Sequence, residues 1–230
     1  MFIGHFGLAF ALKRAEPRTS LGTLFVAVQW VDILWALFLL LGWEHVDVVP
    51  GFTPVSPFDF LDYPLSHSLL AAVVWSGLFG AAYYSWPTSD TSRHLKRTLV
   101  VMVAVASHWF LDLIAHVPDL PLLGNDSTKV GLGLWRSLPA TLAVESLLLA
   151  GGIFILLRRP SRQHPPRPVR ILALAGFLLG IYLLSVFGPP PPSAAVVAWT
   201  VLAGAVLLLA LAIWADRPAP APASPQPKKS

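Results

Sequence analysis

The segment Ser107 to Asp119 reads SHWFLDLIAHVPD and sets His108, Asp112 and His116 at steps of four residues inside an apolar stretch. On a helix each such step turns the chain only about 40° past a full turn, so the three side chains share one stripe about 12 Å long. One metal ion cannot comfortably bind both ends of that stripe. A central carboxylate can bridge two ions about 3.5–4 Å apart while each histidine holds one of them, which is the layout of a multi-metal hydrolytic centre. Ionisable residues in membrane helices also serve as ion-pathway groups, proton relays or satisfied polar contacts, and on the triplet alone those readings stay open.

The elements that must position these residues are membrane helices. The chain of 230 residues is 55% apolar and 12% charged, with a mean hydropathy of +0.66. Its apolar residues fall in blocks too long for the core helices of a soluble domain. The expected fold class is all-α, a polytopic membrane helical bundle. Six spans are expected, at Leu21–Trp43, Ser66–Trp86, Leu99–His116, Leu138–Leu157, Val169–Phe187 and Ala194–Ala215. Residues 1–12, MFIGHFGLAFAL, are apolar but too short to span, and Lys13, Arg14 and Arg18 follow rather than precede them. That order is expected of neither a signal peptide nor a complete span, and a short re-entrant helix fits it.

The net charge of +4 and pI near 9.7 invite a nucleic-acid reading, but the basic residues alternate from loop to loop. Lys13, Arg14 and Arg18 precede the first span; Arg93, Lys96 and Arg97 precede the third; Arg158, Arg159, Arg162, Arg167 and Arg170 precede the fifth; Arg217, Lys228 and Lys229 follow the sixth. The loop from Glu44 to Tyr63 has no lysine or arginine and carries Glu44, Asp47, Asp59 and Asp62. The positive-inside rule then makes both termini cytoplasmic and the acidic loops external. The charge is a topology signal, and no nucleic-acid partner is expected. Trp43, Trp86, Trp135 and Trp214 sit near span ends and read as interfacial anchors. With no cysteine in the chain, any metal must be held by nitrogen and oxygen.

Counting about 1.5 Å per residue from the expected membrane edges places the buried ionisable groups at similar depth. They are His5, Asp32, His67, His108, Asp112, His116 and Glu145. A carboxylate at mid-bilayer costs about 2.5–3.5 kcal/mol on insertion scales, and a cation is its natural compensation. Imidazole mixed with carboxylate suits a divalent transition metal, zinc foremost where water is to be activated, with manganese or iron as alternatives. Taken singly, His67 in YPLSHS could cap a helix end and Asp32, beside Gln29 and Trp30, could be a packing contact. Asp119 could support a ligand or cap a helix. His45, His94 and His164 lie in loops and read as solvated.

GHFGLAFAL, VDILWAL, YPLSHSLL and SHWFLDLIAHVPD together resemble the inner-membrane family of metal-dependent hydrolases described as regulated by the LexA repressor, over residues 1–157. The ligand order is also similar to that of the zinc-dependent phospholipase C and S1/P1 nuclease superfamily. Carried over, its pattern falls on His5, Asp32, His67, His108, Asp112, His116 and Glu145, with Thr141 where that superfamily has a histidine. The soluble members also use an N-terminal amine as a ligand. The resemblance implies hydrolysis of a phosphoester on a lipid-like substrate in the bacterial inner membrane, with Asp112 and Glu145 as catalytic residues and more than one ion. In that scheme Asp112 bridges two ions. Asp32, His67 and His108 complete the first, His116 and Glu145 hold the second, and His5 adds a ligand near the bridge.

The expected organisation is a hydrolase core over residues 1–157, a basic linker and accessory transmembrane hairpin over 158–215, and a disordered proline-rich cytoplasmic tail over 216–230. The hairpin has no Asp, Glu or His between Ile171 and Ala215 and reads as structural packing beside the core. No internal repeat supports an inverted-repeat transporter. The alternatives to an enzyme are a cation or proton transporter, for which the same groups form a pathway, and a non-catalytic membrane scaffold.

Overall fold

The N-terminal apolar segment folds as helix α1 (Ile3–Ala15), and its length keeps it from crossing a bilayer by itself. Ile3, Phe6, Ala9 and Phe10 have no exposed surface, because α1 is wedged among other helices rather than laid on the outside. In the computed structural model, which describes residues 1–88, 91, 93–158 and 166–217, the chain is mostly helical. The expected linker residues 159–165, including Arg159, Arg162 and His164, and tail residues 218–230 lie outside the described residues.

The helix that follows α1 is broken. Ser20 caps α2 (Leu21–Val28) by accepting from the Thr23 amide, and α3 (Trp30–Leu41) leaves at 53° after Gln29. Gly42, at φ 70, ends α3 in the left-handed conformation that glycine takes without strain. The break brings Val28 and Asp32 to the interior end of the two segments, beside the third of the expected spans.

Two short hairpins add strand to the expected all-α fold. Strands β1 (His45–Val48) and β2 (Phe58–Asp62) pair antiparallel, with Val46 opposite Phe60, and β3 (Leu120–Pro121) pairs with β4 (Lys129–Val130). Val46 and Phe60 are buried together with Trp35, Tyr63 and Trp109, so the first hairpin closes over one end of the bundle. A short helix, α4 (Pro64–His67), leads into α5 (Leu69–Ser85), which Ser68 caps. Then come α6 (His94–Ala115), α7 (Leu138–Arg158), α8 (Pro168–Phe187) and α9 (Ala194–Asp216).

Helices α6, α7, α8 and α9 are long and apolar enough to cross a membrane, and α2 with α3 makes a fifth crossing if the bent pair is one span. Helix α5, at 17 residues, is shorter than the roughly 20 that a span needs. The six expected spans are therefore not all confirmed. Large apolar side chains such as Val73 on α5, Leu147 on α7, Leu184 on α8 and Val206 on α9 face outward, as lipid contact requires.

The basic segments gather at one end. Lys13 meets Asp216 at 2.8 Å and donates to the carbonyls of Pro17 and Thr19, while Lys96 donates to the Ala15 carbonyl and faces the buried Glu16 at 3.2 Å. These contacts tie the C-terminal ends of α1 and α9 to the start of α6. The N-terminal end of α1 is thereby pushed into the bundle, and Met1 is buried there rather than lying in a loop.

Helix α1 packs chiefly on α7. The approach is closest at glycine: a Cβ on Gly152 would run into the Gly7 carbonyl, and one on Gly7 into the Leu148 carbonyl. Backbone meets backbone there, and no side chain can swing away. Gly152→Ala is expected to destabilise the protein by about 1–3 kcal/mol or more through overpacking. Thermal unfolding in detergent checks this. Gly77→Ala, where a Cβ meets open space, should leave the midpoint unchanged or raise it, and equal midpoints for the two variants would contradict the close approach.

Candidate metal centre

The stripe on α6 meets side chains from three other elements. Asp112 is the hub. Its Oδ2 lies 3.1 Å from His108 Nε2, 3.8 Å from His67 Nε2 and 3.9 Å from His116 Nε2. Its Oδ1 accepts from the Met1 amine at 2.6 Å and lies 3.1 Å from His5 Nε2. Asp32, in the first turn of α3, sets its Oδ1 3.4 Å from His67 Nε2 and 3.5 Å from His108 Nε2, and its Oδ2 accepts from Gln29. His5, His67, His108, Asp112 and His116 are all buried, and Asp32 is partly so.

The outer nitrogens decide which way the inner ones act. His108 Nδ1 is 2.7 Å from the Val28 carbonyl, which can only accept, so the ring hydrogen sits on Nδ1. That carbonyl is available because the α2–α3 break falls beside it. Ser66 donates its one hydroxyl hydrogen to Glu44 at 2.6 Å, so the same oxygen accepts from His67 Nδ1 at 2.8 Å. His116 Nδ1 donates to Asp119 at 2.9 Å, and Tyr63 donates to the same carboxylate oxygen at 3.0 Å. In neutral His67, His108 and His116, each Nε2 is thus a bare lone pair aimed at carboxylate oxygen. Two electron-rich atoms facing each other in a buried site repel unless a proton or a metal cation lies between them.

The separations suit such a cation. Ligands about 2.1 Å from one tetrahedral ion stand about 3.4 Å from each other. Nitrogen and oxygen ligand atoms of two trios lie within 4.8 Å of one another: Asp32, His67 and His108, and His5, His108 and Asp112. The first is the trio expected around the first ion. The shared member, His108, has a single inward nitrogen, so the two trios overlap rather than stand as separate centres. His108 Nε2 is buried without a hydrogen-bond partner, and so is His5 Nδ1. The His5 and His108 rings stack at 4.0 Å and 2°, which disfavours a positive charge on both.

Glu145 is placed differently from the expectation that it pairs with His116. Its Oε2 accepts from the Phe2 amide at 2.8 Å and the Gly4 amide at 3.1 Å. A buried helix start needs such an acceptor, and the carboxylate also suits the positive end of the α1 dipole. Thr141, one turn before Glu145, uses its hydroxyl on the carbonyls of Leu134 and Ser137.

Asp119, expected to support a ligand or cap a helix, accepts from His116 and Tyr63, while Glu44, Tyr63 and Ser66 do not stand out in the sequence. Glu44 sits in the acidic loop and reads there as topology, yet it is 1% exposed. Burial pushes its carboxyl above the usual range, against hydrogen bonds from Ser66 that pull it down. Burial and the neighbouring Asp119 carboxylate hold the Tyr63 hydroxyl well above its usual value, so it stays a donor. Tyr63 and Ser66 closely precede His67 in YPLSH, which was the available signal. The Trp135 ring, just before α7, lies 4.3 Å from that of His116. A cavity of about 840 Å³ opens beside the cluster, bordered by Asp32, His67, Asp112, His116 and Glu145. Comparison with protein-family models, curated proteins and solved structures gives no match, so the chemistry of the site carries its functional reading.

Losing a partner of a metal-binding histidine typically weakens metal affinity 10–100-fold. Glu44→Ala, which frees Ser66 and with it His67, is expected to weaken zinc binding by about that factor in a chelator competition. Asp47→Ala in the same loop, at an exposed position, should not. Equal affinities in the two variants would contradict the role given to Glu44.

Proposed function

We propose that the chain is a membrane-embedded, metal-dependent hydrolase of the bacterial inner membrane that cleaves a phosphoester on a lipid-like substrate. The observation that carries this reading is the set of inward lone pairs on His67, His108 and His116 facing Asp112, with Asp32 beside them. A proton pathway would work with imidazoles that exchange hydrogen along a chain. Here the outer nitrogens are committed to the Val28 carbonyl, Ser66 and Asp119, an arrangement that orients ligands.

Asp32, His67, His108 and Asp112 would hold an ion, with His5 and His116 beside the same Asp112 carboxylate. Nitrogen with oxygen donors suits zinc, then manganese or iron. Such an ion supplies Lewis acidity, polarising a phosphoryl oxygen and making water nucleophilic near neutral pH. Asp32 and Asp112 set the charge of the site, and Glu145 holds the start of α1 so that His5 stays in reach. Phe60, Tyr63 and Trp135 wall the imidazoles and limit water.

The basic end of the bundle would face the cytoplasm under the positive-inside rule. Helix α1 then enters from that side and ends inside the bundle, and the hairpin of β1 and β2 covers the outer end. Membrane lipids would be the surrounding partners and the source of substrate.

Metal content by mass spectrometry on detergent-purified protein tests the reading, with Asp112→Asn chosen to keep the shape of the side chain. Near-stoichiometric transition metal in the wild type, lost in the variant together with hydrolysis of bis(p-nitrophenyl) phosphate, is expected. Metal-free wild type after zinc and manganese have been supplied would overturn it. So would a folded variant that keeps both metal and turnover.

A further inference from the structure

The hairpin of α8 and α9 carries no acidic or imidazole side chain between Ile171 and Ala215, yet it does not simply brace the core. It forms a wall of the cavity that begins at the histidine–aspartate cluster. Phe177 and Ile181 line it from α8, and Val197, Val201, Gly204 and Leu208 line it from α9. The α9 positions are spaced four, three and four apart, so they form one face of the helix. The far wall is Phe6 and Ile33, and the loop between β1 and β2 closes over it with Pro54 and Val55. At about 840 Å³ the cavity lies in the upper part of the range of small-molecule sites, about 300–1,000 Å³.

Two details show what kind of occupant fits. Gly204 faces the cavity from the middle of α9, and a Cβ built there meets nothing within 4 Å. An added methyl there would fit without clash, and a larger side chain would take up cavity space. The Tyr182 hydroxyl is buried without a partner, although the residue borders the cavity and its ring is 1% exposed. A buried phenol without an acceptor loses about 1–3 kcal/mol unless a ligand supplies one. The other hydroxyls of this wall, on Ser185 and Thr200, are already donated to the Tyr182 and Val196 carbonyls. No lysine or arginine lines the cavity among the described residues, so an anionic head would be favoured beside an ion held at the cluster end.

We infer that α8 and α9 form a slot for a long hydrocarbon chain of the substrate, with the polar head at the histidine–aspartate cluster, Tyr182 donating to an oxygen at the head–chain junction, and Gly204 keeping the slot open. The inference rests on the hydrolase reading for the identity of the head, but chain binding is measured without hydrolysis. The hairpin is then the part of the protein that selects chain length. Short-chain esters reach the cluster without using it.

The probe is hexadecylphosphonate carrying a diazirine at mid-chain, which cannot be hydrolysed, used on the zinc-loaded full chain in nanodiscs. Photolabelling is expected in the cavity-facing residues of α8 and α9, competed by unlabelled hexadecylphosphonate and not by butylphosphonate. Gly204→Phe should cut the competable label about tenfold with metal content unchanged, whereas Gly204→Ala should keep it. Tyr182→Phe should weaken competition about three- to tenfold while leaving the thermal midpoint equal or higher. Competable label absent from these two helices, or undiminished in folded Gly204→Phe, overturns the slot. If Gly204→Phe does not fold, the label positions in the wild type and the Tyr182→Phe result decide. Slot labelling as expected with no phosphoester turnover would remove the hydrolase reading and leave the slot standing. Turnover without competable labelling would do the reverse.

Discussion

Three imidazoles turn their lone pairs toward two carboxylates in the interior of an apolar bundle, and the rest of the molecule is arranged to keep them there. Each ring is held from behind by a group that fixes its hydrogen on Nδ1: the Val28 carbonyl, the Ser66 hydroxyl and the Asp119 carboxylate. A buried carboxylate is costly on its own, and a lone pair turned toward it adds to the cost. A divalent cation changes the sign of both terms. The proposed metal centre follows from that electrostatic need more than from the residue types.

The unusual features of the fold serve this arrangement. The break between α2 and α3 gives up helix continuity, and in return Val28 offers a carbonyl to His108 while Asp32 begins a new helix in the same place. Helix α1 is short because its task is to bring His5 to the hub from the basic end. Its close packing on α7 through Gly7 and Gly152 leaves it little freedom to slide. Glu145 meets the amides at its start. The hairpin of β1 and β2 brings Phe60 over His116, and Glu44 reaches back from the loop before it to orient His67 through Ser66. The hairpin of α8 and α9 adds an apolar cavity alongside.

Much of the candidate site was legible because helical spacing and membrane burial both act locally. The steps of four through His108, Asp112 and His116 gave a stripe, and the apolar context marked it as buried. Asp32, His67 and His5 follow from the rule that ionisable groups at membrane depth need compensation. Glu44 was not legible, since an acidic residue in an acidic loop looks solvated until a chain reversal brings it to Ser66. The six-span expectation counted hydropathy alone, which does not register the 53° break at Gln29 or the late start of α5 at Leu69, after the separate short helix α4. The cavity wall on α8 and α9 has no charged or imidazole side chain to mark it in the sequence. Only the packing of distant helices reveals it.

X-ray absorption at the zinc edge, on protein loaded with zinc and washed of excess, measures directly whether imidazole nitrogen and carboxylate oxygen bind a cation at Asp112. Several histidine nitrogens at about 2.0–2.1 Å, with the outer-ring scattering of imidazole, and oxygen at about 2.0–2.2 Å are expected. An oxygen-only shell without imidazole scattering, or no retained zinc, would contradict that binding.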